Sequence, residues 1–125
     1  MGLRLRVMPG RFAVCRLWPD APVPQWAMSG SFSSVSRTPE ELSIVCDESL
    51  VPDAVTSERS WRCLMVEGPL DFGLTGILLM IAEPLARAGI SIFAVSTFNT
   101  DYVLVKESSF TEAQRALSDG GHLIL

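Results

Sequence analysis

The sequence has a single histidine and three cysteines, and these low numbers exclude several kinds of chemistry. Cys/His zinc sites and Ser-His or Cys-His catalytic pairs need more such residues, so having only His122 nearly excludes them. Cys15, Cys46 and Cys63 form no CxxC pair, and each lies in an apolar, strand-like run. We interpret them as small buried residues of a protein in a reducing compartment, and we expect no metal and no cofactor.

Positive charge and long apolar runs are also scarce. The chain has 10 Lys and Arg residues against 14 Asp and Glu residues, and neither half is basic, so we expect no nucleic-acid partner. The longest uncharged apolar-rich stretch, "FGLTGILLMIA", is too short to cross a bilayer, and the N-terminus lacks the continuous apolar region of a signal peptide. We therefore expect a soluble cytoplasmic protein with no membrane partner.

Apolar residues, in contrast, are plentiful. The chain has 125 residues and is 48% hydrophobic, which suits one compact domain or two very small ones. A chain of this size buries roughly two thirds of the surface of its unfolded form. It can therefore fold without disulfide or metal cross-links.

The C-terminal half alternates between strand and helix patterns. Residues 61–67 ("WRCLMVE") predict a strand, "GISIFAVSTF" and "DYVLVKE" predict a hairpin, a short helix follows, and "HLIL" predicts a last strand. A longer helix after the first strand is indicated by apolar residues at helical spacing, namely Leu74, Ile77, Leu78, Ile81 and Leu85. The resulting order, βαββαβ, is the ferredoxin-like plan of an α+β fold, with an antiparallel sheet and its helices on one face.

The longer helix, expected over residues 73–88, carries capping and breaking residues. Asp71 can cap its start, and Gly89 suits a left-handed residue after its end. Pro84 should bend the helix or remove one hydrogen bond. Leu79 and its neighbours make the opposite side apolar as well, so we expect the helix to be covered on more than its sheet side.

The N-terminal half has strands but little helix. Pro9-Gly10 predicts a turn between two strands, and "PDAPVPQW" predicts a rigid loop with one helical turn at its end. "SFSSVSR" and "ELSIVCD" predict a hairpin. The polar, turn-rich segment "ESLVPDAVTSERS" is the expected boundary, so we divide the chain into residues 1–60 and residues 61–125.

The loop between residue 67 and the longer helix contains Gly68, Gly73 and Gly76 but no Lys, Arg, His or Cys. Glycines at the start of a helix let backbone amides approach and hold an anion. With no nucleophile or base in it, the loop is suited to binding rather than to reaction.

The run "VEGPLDFGLTGILLMIAEPLARAGISIFAVSTFNTDYVLVKE" resembles an ACT domain. The resemblance lies in the glycine loop, in "AGISIF" entering the second strand and in "STFNTDYVLV" across the hairpin. It covers residues 61–122 most strongly and is nearest to small bacterial tandem-ACT proteins, which are related to the ACT domains of animal cytosolic arginine sensors. "VCRLW", "FSSVSRT" and "ELSIVC" fit the short N-terminal half of those proteins. The resemblance implies two domains, a degenerate ACT-like one over residues 1–60 and an ACT domain over residues 61–125.

ACT domains bind small molecules, usually amino acids, where one ACT unit meets another. The resemblance therefore implies a non-catalytic regulatory protein with an amino-acid ligand, acting as a homodimer or another ACT assembly. The implied ligand-binding residues lie in the glycine loop and in the hairpin: Leu70, Asp71, Phe72, Gly73, Thr97, Phe98, Asn99 and Asp101. In this arrangement free amides at the helix start suit the ligand's carboxylate, and Asp101 suits its ammonium.

Most of these residues also have a purely structural interpretation. Asp71 can be only a helix cap, the glycines can serve turn geometry, Asn99 and Asp101 can be hairpin-turn residues, and Phe98 can be a core residue.

Two other functions compete with a sensor. An interaction module without a ligand would use the apolar helix as a partner surface. An enzyme on the same fold, such as an acylphosphatase, would need an arginine in the anion-holding loop, and "GPLDFGLTG" has none.

Overall fold

The computed structural model describes residues 2–68 and 75–125. In chain order, the strands are β1 (Arg4–Val7), β2 (Phe12–Leu17), β3 (Ser34–Arg37), β4 (Leu42–Asp47), β5 (Thr56–Val66), β6 (Phe93–Ser96), β7 (Asp101–Lys106) and β8 (Leu123–Ile124), and the helices are α1 (Ile77–Arg87) and α2 (Phe110–Asp119). Short 3₁₀ turns lie at Gln25–Met28, Glu48–Leu50 and Glu107–Ser109. No helix within these ranges is long and apolar enough to span a membrane.

The chain divides into two compact units, and the division differs from the expected one. One unit comprises Met1–Met8 and Arg62–Leu125, and the other comprises Pro9–Trp61. The expected boundary placed all of residues 1–60 together, whereas the contacts place the first eight residues with the C-terminal part. The reason is the pairing of β1, which lies beside the end of β5 and beside β8.

The C-terminal unit has the predicted βαββαβ order from β5 to β8. Its sheet runs β8, β1, β5, β7, β6, so β1 separates the first and last strands of that order. β1 is antiparallel to β5, with Leu5 opposite Val66, and parallel to β8, with Leu5 opposite Ile124. The predicted α+β class with mainly antiparallel pairing is confirmed, and the N-terminal strand adds one position to the sheet.

Both helices pack on one face of this sheet, as predicted. The strands contribute alternate residues to the core, and each helix contributes one apolar stripe. The buried cluster includes Leu5, Leu64, Val66, Val103 and Val105 from the strands, Ile77, Ile81 and Leu85 from α1, and Phe110, Ala113 and Leu117 from α2. Burial of each large side chain contributes roughly 1.5–3 kcal/mol, so the stripes hold the helices in place.

The start of α1 is later than predicted. The helix begins at Ile77, with Gly76 as its N-cap residue at φ 76°, rather than near residue 73, and Asp71, the predicted cap, lies outside the described residues. A residue in the left-handed region cannot belong to a right-handed helix, so α1 begins after Gly76 although the apolar sequence pattern continues through it. At the other end Gly89 is left-handed, as predicted, and the Ile90 N–H donates to the Leu85 carbonyl at 2.9 Å, which closes the helix.

Two features of α1 concern its exposed side and its proline. Leu79 is 62% exposed. The prediction that the second side of the helix is covered is therefore wrong within residues 2–68 and 75–125. Pro84 has no N–H for the carbonyl of Met80, and His122 supplies the missing bond, because its Nε2 lies 3.0 Å from that oxygen. The other ring nitrogen, Nδ1, accepts from the N–H of Leu3 at 3.0 Å.

The N-terminal unit is an antiparallel sheet in the order β3, β4, β2, β5. The predicted hairpin is β3–β4, and the predicted helical turn is the 3₁₀ turn Gln25–Met28. The expected boundary segment is partly strand, because β5 already begins at Thr56. The core of this unit consists of small and branched residues: Ala13, Cys15, Ala27, Leu42, Ile44, Cys46 and Val51.

A bulge bends β5 near the end of this unit. Trp61 lies opposite Phe12, but Glu58 lies opposite Val14, so β5 has one extra residue. Ser60 takes up the extra length in the left-handed region at φ 66°, and its N–H donates to Glu48 Oε1 at 2.6 Å. The bulge is therefore held by a carboxylate from the preceding 3₁₀ turn.

Candidate functional site

The β6–β7 hairpin ends in a turn that is fixed by side-chain hydrogen bonds. The N–H and the hydroxyl of Thr97 both donate to the Thr100 carbonyl, at 2.8 and 3.0 Å. Ser96 lies opposite Asp101 in the last rung of the hairpin, and its hydroxyl donates to Asp101 Oδ1 at 2.5 Å. The predicted residues Thr97, Phe98 and Asn99 form this turn with Thr100, and Asp101 follows it at once.

The turn is tied to the end of β5. The buried hydroxyl of Thr100 donates to the carbonyl of Val66 at 2.5 Å. Val66 is the last residue of β5, and Gly68, the first glycine of the loop, follows two residues later. The hydrogen bond therefore holds the hairpin turn beside the point where the glycine loop begins. The other four predicted residues, Leu70, Asp71, Phe72 and Gly73, lie outside the described residues.

The side chains at the turn face solvent to different degrees. Phe98 is 79% exposed, so it is not a core residue, and Thr97 and Asn99 are exposed as well. Asp101 is half-buried and accepts one hydrogen bond from Ser96, which is the hairpin role considered for it. A carboxylate has four lone-pair positions, so Asp101 retains capacity for a second donor.

The described start of α1 carries backbone donors without a side-chain cap. Gly76 is the N-cap residue, and no side chain among the described residues accepts from the first turn. The first backbone hydrogen bond of the helix runs from the Met80 N–H to the Gly76 carbonyl, at 3.0 Å. Earlier N–H groups have no partner within a helix, and together with the helix dipole they favour a negative group.

A charge cluster lies at the β5 end of the loop. Arg4 Nε is 3.1 Å from Glu67 Oε1, and Arg6 Nη2 is 2.7 Å from Glu67 Oε2. The hydrogen bonds from Arg4 and then Arg6 hold the pKa of Glu67 below its ordinary value. The sequence gives no local signal for this cluster, since only the pairing of β1 with β5 brings the two arginines beside Glu67.

All three cysteines are free and buried, as predicted. Burial raises the pKa of Cys63 to about 12, so its thiol stays protonated. Cys15 and Cys46 share a hydrogen bond across β2 and β4, which lowers the pKa of Cys15 and raises that of Cys46. The three thiols lie in cores and on strands rather than at the hairpin turn, so they serve packing.

Comparison with known proteins matches both parts of the chain to family models. A model described as an ACT domain matches residues 56–119, and a model of an N-terminal domain matches residues 10–54. The chain is 42% identical over 69 residues to the cytosolic arginine sensor for mTORC1 subunit 1 of Bos taurus, which is 52% of this chain and 21% of that protein. The chain thus spans about a fifth of the length of that relative.

Two solved structures resemble the whole chain. The crystal structure of protein Atu0741 from Agrobacterium tumefaciens is 37% identical, with a TM-score of 0.95 over 100% of this chain and 93% of that one. The regulatory subunit of aspartate kinase from Thermus thermophilus, at 10% identity, has a TM-score of 0.64 over 93% of this chain and 95% of that one, which is a likeness of fold. With its ferredoxin-like unit and a family match over more than half its length, this chain belongs to the ACT domain family.

Proposed function

We propose that this ACT-domain protein is a non-catalytic sensor that binds an amino acid in the cytoplasm. The observation that carries the proposal is the Thr100–Val66 hydrogen bond, because it holds the hairpin turn beside the beginning of the glycine loop. Similarity to a cytosolic arginine sensor and the fold shared with an aspartate kinase regulatory subunit support a regulatory role. The ligand would occupy a notch between the loop and the turn.

The proposed binding mode assigns each pole of the ligand to one wall. The carboxylate is held by backbone donors at the loop and at the start of α1, where Gly76 gives no side-chain cap. The ammonium is held by Asp101 and by carbonyl groups of the turn. Charge-assisted hydrogen bonds contribute about 1.5–3 kcal/mol each, and a few of them give roughly micromolar affinity, about −8 kcal/mol, after the cost of association.

We further propose that Leu70, Asp71, Phe72 and Gly73 line the loop side of the notch and that Thr97, Phe98, Asn99 and Asp101 line the turn side. The exposed ring of Phe98 supports a site completed by a neighbouring ACT unit, since 79% of that residue is accessible in this chain. The assembly would be a homodimer or another arrangement of ACT units.

Calorimetric titration of the 20 common amino acids against the full chain tests this function. At least one should bind with roughly micromolar affinity, and Asp101→Asn should weaken that binding about tenfold or more. Asp119→Asn, a carboxylate change at the exposed end of α2, is the matched control and should leave affinity unchanged. Absence of heat with all of them at millimolar concentration would contradict the proposal.

A second candidate is an interaction module that has no ligand. It is favoured by the exposed apolar residues of α1, since Leu79 is 62% and Leu78 is 37% exposed. Sedimentation of the chain with and without amino acids separates the two functions: a stable dimer that is indifferent to every amino acid, and that Leu79→Ser dissociates, would favour the interaction module.

A further inference from the structure

The N-terminal unit contains a cleft that is separate from the hairpin turn and the glycine loop. Its volume is about 580 Å³, and it is lined by Arg16, Leu17 and Trp18 at the end of β2, by Glu40 of the β3–β4 turn and by Val55 just before β5. Pockets that bind small molecules have volumes of roughly 300–1,000 Å³. The cleft therefore has the size of a small-ligand site within a single unit.

The cleft has an apolar floor and an aromatic wall. Leu17 and Val55 pack against the core of the unit, so the floor is fixed. Trp18 is 81% exposed, although burial of its indole would remove more apolar surface from water than burial of most other side chains. An exposed tryptophan at the edge of a cleft offers a flat surface to an apolar or aromatic group.

The walls are held in place by their own hydrogen bonds. The Arg37 guanidinium donates to the carbonyls of Pro19 and Ala21, the latter at 2.8 Å, and the Ala21 N–H donates to the Trp18 carbonyl at 3.1 Å. On the other wall the Thr38 hydroxyl accepts from the Glu40 N–H at 3.1 Å. Both walls are therefore ordered before any ligand arrives, which lowers the entropic cost of binding.

Opposite charges line the same cleft. Arg16 and Glu40 are both exposed, and within residues 2–68 and 75–125 neither the guanidinium nor the carboxylate has a hydrogen bond or ion pair. A guanidinium binds a carboxylate through two parallel donors, and a carboxylate accepts from an ammonium. The complementary ligand therefore carries both charges on one small molecule.

We propose that this cleft binds a small zwitterion with an apolar or aromatic body. Arg16 holds the ligand's carboxylate, Glu40 holds its ammonium, and Trp18 covers its body above the floor of Leu17 and Val55. This site is independent of the notch in the C-terminal unit, because all its lining residues belong to Pro9–Trp61.

The fluorescence of Trp18 gives a direct test in the full chain. Because Trp18 is the most exposed of the three tryptophans, it should dominate quenching by acrylamide, and Trp18→Phe identifies its signal. L-phenylalanine, which has both charges, should protect Trp18 from acrylamide saturably. Phenylacetate and phenethylamine each lack one charge and should need concentrations about tenfold higher or more.

Charge variants assign the two poles. Arg16→Gln should weaken binding of L-phenylalanine and phenylacetate but leave binding of phenethylamine unchanged. Glu40→Gln should weaken binding of L-phenylalanine and phenethylamine but leave binding of phenylacetate unchanged. Arg115→Gln, an exposed change in α2, and Asp101→Asn, a change in the other proposed site, should alter none of these. No saturable protection up to about 10 mM, equal protection by all three compounds, or indifference to both charge variants would overturn the proposal.

Discussion

The imidazole of His122 gives the carbonyl of Met80 the hydrogen bond that Pro84 cannot give, at a distance of 3.0 Å. Because Nδ1 of the same ring accepts from the Leu3 N–H, the N–H that bonds the Met80 carbonyl is the one on Nε2. One buried side chain thus satisfies a backbone group of α1 and a backbone group just before β1.

Removing this ring should be costly, and Pro84 should control the cost. His122→Ala leaves the buried N–H of Leu3 and the partly buried carbonyl of Met80 without these partners, so we expect a loss of about 2–4 kcal/mol in the free energy of unfolding. In a Pro84→Ala background residue 84 regains an N–H for Met80, so the same His122 change should cost about 1 kcal/mol less. Urea unfolding of the four proteins of this double-mutant cycle measures the difference, and strict additivity would contradict the assigned bond.

The bulge in β5 predicts a stabilising substitution. Ser60 is the non-glycine residue among residues 2–68 and 75–125 with a left-handed φ, at 66°. Ser60→Gly should raise stability by up to about 1 kcal/mol, because relief of the strain outweighs the added freedom of the unfolded chain. Ser60→Val should lower stability, since a β-branched residue is strained there. Thermal unfolding of both variants measures the two changes in stability, which should have opposite signs. Equal changes in stability would contradict the left-handed conformation assigned to Ser60.

The pKa of Glu67 gives the stability of the C-terminal unit a dependence on pH. Since Arg4 and Arg6 lower this pKa in the folded state, the contribution is present above the unfolded-state pKa of about 4.5 and is lost as pH falls through the lower folded-state pKa. The double change Arg4→Gln and Arg6→Gln should raise the pKa of Glu67 toward its ordinary value. NMR titration of the Glu67 carboxyl group measures this pKa. Arg115→Gln is the control and should leave the pKa of Glu67 unchanged.

The link between the hairpin turn and β5 can be tested with isosteric changes. Thr100→Val removes the hydroxyl and leaves the Val66 carbonyl without its donor, so we expect a loss of about 1–3 kcal/mol in stability. Thr100→Ser keeps the hydroxyl and should cost less. If the turn helps to form the amino-acid notch, the Val variant should also bind the cognate amino acid more weakly while the Ser variant does not. Parallel urea unfolding and calorimetric titration separate the two effects.

The position of β1 makes the C-terminal unit depend on a distant strand. A fragment of residues 61–125 lacks the strand between β5 and β8, so we expect it to be unfolded or only partly folded. Adding a peptide of residues 2–9 should restore structure, detected by amide dispersion in NMR spectra. A peptide with Leu5 replaced by Asp is the matched control, because Leu5 is fully buried. A well-folded fragment without the peptide would contradict the role given to β1.

Local patterns predicted much of this fold, and the misses share a cause. The periodicity of Ile77, Ile81 and Leu85 and the left-handed Gly89 are local signals, and they placed α1 and its end correctly. The partner of β1 could not be read in this way, because alternation in a strand shows which residues face the core but not which strand lies beside it. The start of α1 was missed because the apolar run continues through Gly76.

Side-chain roles were harder to predict than elements. Pro84 pointed to a lost hydrogen bond, but the replacement from His122 comes from 38 residues further along the chain and leaves no local pattern. The exposure of Phe98 depends equally on what packs above the turn, which no window of sequence shows. The hairpin segment itself was found because its turn chemistry is local, as the Thr97 hydrogen bonds show.

The place of β1 between β5 and β8 also constrains the order in which the protein can mature on the ribosome. Residues 9–61 are contiguous, so their sheet can assemble as soon as they emerge. β1 emerges before this sheet but pairs with β5, about 60 residues later, and with β8, nearly 120 residues later. β1 must therefore wait, unpaired on one side, until β8 has been synthesised, and closing that long separation is expected to limit the folding rate.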